Sequence, residues 1–233
     1  MDYYLLALSV LPGLAICYYI WWRDKHEPEP KHLLFFCFLF GMLSTVPAIF
    51  LETLGQNMGI IADESLVKTF AFAVGVVGFS EEFCKFLFLR YFIYPKKEFD
   101  EPMDGIVYSV MVSMGFATLE NILYVTQGGY EVAFLRMFTA VPAHAAFAVI
   151  MGYFVGLGKF HLHKGKESLF LLKGLALAAL VHGLYDFFIF QVNFPSLQYL
   201  TFVVLFVAIF ITFPMIKHLQ HISPHKEEPN DVY

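Results

Sequence analysis

Several acidic, basic and imidazole side chains lie inside long apolar runs of the sequence, where lipid rather than water would surround them. Such groups are costly in a bilayer and persist mainly where they face a partner or a wet cavity. Carboxylates beside imidazoles are the usual groups of general acid–base catalysis. The candidate catalytic residues are Glu81, Glu82, Glu120, His144, His182 and Asp186, and the candidate supporting residues are Lys85, Asn121, Arg136 and Tyr124.

Two adjacent glutamates, Glu81 and Glu82, precede Lys85 in one of these apolar runs. On a helix, Glu81 and Lys85 lie one turn apart on one face, and Glu82 points about 100° away. Adjacent carboxylates in a low dielectric do not both ionise cheaply, so the pair predicts one base-like and one acid-like carboxyl. The alternative is a structural ion pair between Glu81 and Lys85.

The next run places Tyr124 one helical turn after Glu120, with Asn121 beside it. A buried glutamate in this position could take part in catalysis. It could equally pair with Arg136 across a helix interface, and even that pair would position neighbouring groups.

Two histidines complete the candidate set. His144 follows Pro142, whose ring bends a helix, and His182 precedes Asp186 by four residues on one helix face. Asp186 could orient the imidazole of His182. The alternative for His144 is a purely structural hydrogen bond between two helices. The alternative for His182 and Asp186 is that they only bind each other.

The elements that must position these residues are membrane-spanning helices. The chain has 233 residues, of which 58% are hydrophobic and 15% charged, against roughly 45–50% and about 25% in soluble proteins. A span needs about 20 mostly apolar residues. We therefore predict an all-α, polytopic membrane helix bundle with about seven spans, at 3–22, 33–54, 66–94, 103–126, 131–158, 168–192 and 196–217.

Loop charges predict the orientation of this bundle. The first, third and fifth loops and the C-terminal tail carry lysine or arginine, whereas the other loops carry none. The positive-inside rule then places the N-terminus outside and the C-terminus inside. We predict one membrane domain over 1–217, a catalytic core at about 66–192, and a flexible cytoplasmic tail over 218–233.

Composition also limits the partners. The net charge is -5, and no basic block could hold nucleic acid. Cys17, Cys37 and Cys84 all lie in apolar runs, which does not suggest a disulfide framework. The predicted surroundings are membrane lipid.

The ordered motifs resemble the PrsW family of intramembrane proteases, which is related to type II CAAX prenyl endopeptidases and to the Aph subunit of gamma-secretase. They are Glu81-Glu82-Phe83-Cys84-Lys85, Phe116-Xaa3-Glu120-Asn121, His144 and His182-Xaa3-Asp186, and the resemblance covers about 75–190. The CAAX relatives carry Glu-Glu-Xaa3-Arg, Phe-Xaa3-His and His-Xaa3-Asn. Lys85, Glu120 and Asp186 depart from that pattern and favour PrsW.

The resemblance implies hydrolysis of membrane-anchored proteins, in PrsW proteins anti-sigma factors, by site-1-type cleavage. It also implies a place in a bacterial cytoplasmic membrane. In the expected mechanism Glu81 or Glu82 activates a water as general base. His182, held by Asp186, and His144 stabilise the oxyanion, and a carboxyl protonates the leaving amine. We favour a metal-free reaction. The alternative is a divalent metal such as zinc, held by Glu81, His144 and His182.

Non-enzymatic alternatives remain open at this point. An Aph-like membrane scaffold would keep the histidines without catalysis, and the glutamate pair is the feature that separates it from a protease. An ion- or proton-coupled transporter would also gather buried acids and histidines. Such transporters usually show repeated halves, and the sequence shows none.

Overall fold

The computed structural model describes residues 2–24, 27–160 and 165–223, and all regular secondary structure in these ranges is helical. This confirms the predicted all-α membrane bundle. The α-helices are α1 (Tyr3–Arg23), α2 (Lys31–Asn57), α3 (Leu66–Phe70), α4 (Phe79–Phe88), α5 (Asp104–Phe138), α6 (Ala140–Phe160), α7 (Glu167–Ile189), α8 (Pro195–Gln198) and α9 (Leu200–Ile222).

Five helical stretches within the described ranges are long and apolar enough to cross a membrane: Tyr3–Arg23, Lys31–Asn57, Asp104–Phe160, Glu167–Ile189 and Pro195–Ile222. The third predicted span has a different construction. Here α3 and α4 alternate with two π-helical stretches, Ala71–Gly78 and Leu89–Ile93. The number of spans and their orientation stay predictions.

The helix α5 contains a reversal at Gly129, which has a φ of 67° and a ψ of -153°. A straight helix would separate Glu120 from Arg136 by about 24 Å, but their side chains are in contact at 2.7 Å. The chain therefore turns back at Gly129, and the residues after it run towards α6. Glycine suits this position because it adopts positive φ without a steric cost.

The first part of α5 is the centre of the bundle, and every residue from Asp104 to Thr118 is buried. Glycines let neighbouring helices approach its backbone. A Cβ on Gly152 would come within 2.3 Å of the Gly105 carbonyl oxygen, and one on Gly156 within 2.1 Å of that of Pro102. Gly152 and Gly156, which have the spacing of a GxxxG step, thus form a close contact between helices.

The last helix extends further than the predicted domain. The helix α9 ends at Ile222, and the hydroxyl of the following Ser223 accepts a hydrogen bond from the backbone N–H of Met103. The predicted flexible tail over 218–233 therefore begins with helical residues, and its remainder, 224–233, lies outside the described residues.

Candidate active site

Four helices bring the candidate residues together. Glu81, Glu82 and Lys85 lie on α4, Glu120 on α5, His144 on α6, and His182 on α7. Contact between the third span and α7 depends on two glycines. A Cβ on Gly78 would lie 2.7 Å from the Gly183 nitrogen, and one on Gly183 would lie 2.4 Å from the Val74 Cα. The backbones touch one turn from the glutamates.

The ammonium group of Lys85 lies at the centre of the site. Its Nζ donates to Glu82 Oε1 at 2.8 Å, to Glu81 Oε2 at 3.2 Å and to His144 Nδ1 at 3.2 Å. It also lies 3.9 Å from the centre of the Phe116 ring. An ammonium has three N–H donors, and all three are used. The positive charge of Lys85 is therefore compensated, although its side chain is only 3% exposed.

The ring of His144 is fixed from both sides. Its Nε2 lies 2.9 Å from Glu120 Oε2, and its Nδ1 faces Lys85. These partners assign the proton to Nε2, which donates to the carboxylate, and leave the Nδ1 lone pair facing the ammonium. The hydroxyl of Ser113 donates to the backbone carbonyl of His144 at 2.9 Å, which anchors α6 to α5.

The ring of His182 is held by Glu82. Its Nδ1 donates to Glu82 Oε1 at 2.9 Å, and the ring stacks on Phe147 with centroids 4.7 Å apart. The opposite nitrogen, Nε2, lies 3.3 Å from Asp186 Oδ2 and 3.8 Å from Glu81 Oε2. Asp186 Oδ2 is buried and makes no hydrogen bond within the described residues.

A second cation, Arg136, closes the site on the side of α5. Its guanidinium donates to Glu120 Oε2 and to Asn121 Oδ1, each at 2.7 Å. It also lies 4.2 Å from the centre of the Tyr124 ring. The reversal at Gly129 brings Arg136 back over Glu120. The predicted alternative, an ion pair between these two residues, is present, and Glu120 binds His144 at the same time.

All ten residues singled out in the sequence lie in one network of contacts, although the pairings differ from those expected. Lys85 binds both glutamates rather than Glu81 alone, because the i, i+3 spacing also lets it reach Glu82. Glu82, not Asp186, holds the imidazole of His182 by a hydrogen bond. Their catalytic roles stay predictions.

Other contributors were absent from the sequence analysis. Glu52 on α2 is close enough to Glu120, Asp186 and Lys85 to interact with them electrostatically. The sequence does indicate this residue, because Glu52 is an acidic residue at the end of an apolar run. Two aromatic rings cover the site. Phe116 is part of the Phe116-Xaa3-Glu120-Asn121 motif, whereas Phe147 gives no such indication in a chain with 28 phenylalanines.

Four residues of the site have the donor chemistry of a divalent-cation site, and a cation there would take the place of the Lys85 ammonium on three of them. Glu81, Glu82, His144 and His182 each offer one ligand atom, and these atoms lie within 4.8 Å of one another. Asp186 Oδ2 and the unprotonated Nε2 of His182 are two acceptors facing each other at 3.3 Å, so they need a positive charge or a proton between them. Nitrogen and carboxylate ligands together are typical of zinc.

Comparison with known proteins shows the family of the chain. Residues 29–213 match the model of the PrsW family of intramembrane metalloproteases. The chain is 40% identical to protease PrsW of Geobacillus kaustophilus over 182 residues, which cover 78% of each chain. It is 35% identical to protease PrsW of Bacillus subtilis over 183 residues, which cover 78% of this chain and 81% of the relative.

A third relative, protease PrsW of Clostridioides difficile, is 34% identical over 192 residues, which cover 80% of this chain and 79% of the relative. No solved structure matches the chain significantly. The family match extends on both sides of the 75–190 region that carries the motifs. The chain belongs to the PrsW family of intramembrane metalloproteases, and it is a multi-pass protease of a bacterial cell membrane.

Proposed function

We propose that this protease hydrolyses membrane-anchored, anti-sigma-factor-like proteins by site-1-type cleavage, with Glu81 as the general base that activates water. One observation carries the proposal. Each imidazole is held by a carboxylate through one nitrogen, and the other nitrogen faces the Glu81–Lys85 side of the site. Such an arrangement fixes two unprotonated nitrogens beside a carboxylate, which suits hydrolysis better than a purely structural ion pair.

The two glutamates differ in how strongly they are bound. Glu82 accepts short bonds from Lys85 and His182 through the same oxygen, Oε1. Glu81 has one longer bond, at 3.2 Å, from Lys85. Since proton transfer requires an available lone pair, Glu81 is the better base, and Glu82 acts as the residue that positions His182.

The metal that the family description implies would be held by Glu82, His144, His182 and one oxygen of Glu81, whose other oxygen would remain available as the base. When bound, it would polarise the scissile carbonyl and acidify a water, and we propose zinc because two imidazoles take part. We therefore propose a metal-dependent reaction in place of the metal-free one expected from the sequence, with Glu82 added to the expected ligands Glu81, His144 and His182.

Lys85 is the proposed partner of the negative charge that develops on the carbonyl oxygen. The histidines do not suit this role, because their N–H groups are already directed at carboxylates. When Glu81 takes the proton of water, it loses its charge and holds Lys85 less strongly. One N–H of Lys85 can then turn to the oxyanion. The protonated Glu81 afterwards gives its proton to the leaving amine.

The test is cleavage of single-span, membrane-anchored proteins in proteoliposomes, with anti-sigma factors in the panel. Glu81→Gln keeps the size of the side chain and removes the base, so we expect a loss of about 10²–10⁴ in rate. The matched control is Glu98→Gln, which changes an exposed glutamate in a loop. The proposal is wrong if Glu81→Gln cleaves a verified substrate at the wild-type rate.

A further inference from the structure

A second group of carboxylates lies at the other end of the bundle. Asp24 follows α1, Glu29 precedes α2, and Asp104 begins α5. They are only 4%, 4% and 0% exposed. Asp104 is sixteen residues before Glu120 on α5, or roughly 24 Å along the helix. This cluster is therefore separate from the active site.

Oxygen atoms in this cluster are buried without partners. Asp104 Oδ2 accepts backbone bonds from Asp100 and Glu101 at 2.8 and 2.9 Å. Its other oxygen, Oδ1, and Asp24 Oδ2 make no hydrogen bond within the described residues. A buried oxygen of this kind normally has a partner. Two such oxygens in one cluster indicate a binding site for a ligand.

No basic side chain in the described ranges compensates the three carboxyl groups of this cluster. In the described ranges no lysine or arginine nitrogen comes within the 4.0 Å limit for an ion pair with any of its three carboxylates. Burial, together with the nearby charges of Asp104 and Glu101, raises the pKa of Asp24 to about 8. The Tyr108 hydroxyl donates to Glu29, which adds one more oxygen but no positive charge.

We propose that Asp24, Glu29 and Asp104 bind a hard divalent cation, Mg²⁺ or Ca²⁺, which fastens α1, α2 and α5 together. One ligand oxygen from each residue lies within 4.8 Å of the others. Oxygens that share a Ca²⁺ at about 2.4 Å cannot be further apart than roughly this distance. All the donors are oxygens, which favours these ions over zinc, and the active site with its two imidazoles has the opposite preference.

The experiment is thermal unfolding of the full-length protein in detergent, after removal of metal with EDTA, with and without MgCl₂ or CaCl₂. A concentration about 100-fold above Kd should raise Tm by roughly 5–10 °C. Asp24→Asn and Asp104→Asn should lose this increase. In EDTA they should melt no lower than the wild type, because the amide removes a buried charge. Glu98→Gln is the matched control and should keep the full increase.

Calorimetric titration with each chloride gives the stoichiometry and distinguishes Mg²⁺ from Ca²⁺. One site per chain in the wild type, absent from Asp24→Asn, supports the proposal. The proposal is overturned if neither cation raises Tm or binds. It is also overturned if both variants keep the wild-type increase, because the cation would then be bound elsewhere.

Discussion

At the scale of single residues, the site depends on pairs in which a carboxylate holds an imidazole. Glu120 has this role for His144 and also binds Arg136. Glu120→Gln keeps an acceptor for the ring but removes the charge, and loss of such a supporting carboxylate typically costs about 10–100-fold in activity or metal affinity. We expect this decrease in the initial cleavage rate and in zinc affinity.

The matched control for Glu120→Gln is Tyr124→Phe. It lies one turn away and retains the ring that stacks on Arg136. It should cleave at close to the wild-type rate. Equal rates for wild type and Glu120→Gln would mean that the charge of Glu120 does not contribute to catalysis.

Metal dependence gives a second prediction at this scale. The ten-residue network contains four carboxylates and two cationic side chains, so two formal negative charges remain when the histidines are neutral, even before the nearby Glu52 is counted. A divalent cation would balance them. We expect a strong chelator to stop cleavage and added Zn²⁺ to restore it, as measured by appearance of the product. Unchanged cleavage in the chelator would instead support the metal-free reaction.

The identities of the site residues could be predicted from the sequence, but their pairings could not. A charge in an apolar run is conspicuous, so all ten side chains of the network were found. Helical spacing gives the face of a residue within its own helix, whereas the Glu82–His182 bond depends on how α4 meets α7. Glu52 was missed because it lies at the end of its apolar run rather than in the middle of it.

At the scale of elements, the helix that carries the glutamates is unusual. The ten-residue helix α4 lies between two π-helical stretches, Ala71–Gly78 and Leu89–Ile93. A π-helical turn contains an extra residue, so each stretch changes the direction in which the following side chains point. This irregularity positions the Glu81–Lys85 face. Apolar periodicity does not reveal it, because the run is apolar on all sides.

The close contact between this helix and α7 gives the third prediction. In Gly183→Ala the new methyl group would lie 2.4 Å from the Val74 Cα, which is a backbone atom and has little freedom to move. Such overpacking typically costs about 1–3 kcal/mol. We expect a lower Tm and a lower cleavage rate, because His182 would move away from Glu82.

Gly75→Ala is the matched control for this change. Gly75 follows Val74 in the third span, and a Cβ there meets nothing within 4 Å. It should change Tm and activity little. If Gly75→Ala and Gly183→Ala are equally stable and active, the close approach does not position the site.

At the scale of the whole molecule, composition was sufficient to predict a helical membrane bundle, because an apolar content of 58% leaves no soluble alternative. The division at Gly129 could be predicted. The predicted spans 103–126 and 131–158 leave a gap at 127–130, and the chain reverses within this gap, at Gly129 with a positive φ, although the helical run Asp104–Phe160 is otherwise continuous. Two glycines in succession, Gly128 and Gly129, are the local sign of that reversal.

The orientation of the bundle is the final prediction. Arg23 contacts Gln220 of α9, and Lys159 donates to the Tyr94 carbonyl, so the basic ends of several helices meet at one end of the bundle. Lysine and arginine near span ends are retained on the cytoplasmic side. We expect this end to face the cytoplasm, and the loop between α2 and α3 to face outwards.

Cysteine labelling in intact cells tests this orientation. With Cys17, Cys37 and Cys84 changed to alanine, a single cysteine is introduced by Glu64→Cys or by Lys97→Cys, both at exposed loop positions. A membrane-impermeant maleimide should label the first variant at once and the second only after the membrane is permeabilised. The opposite pattern would reverse the bundle. It would place the carboxylate cluster of Asp24, Glu29 and Asp104 outside the cell, where an extracellular divalent cation would have to fill it.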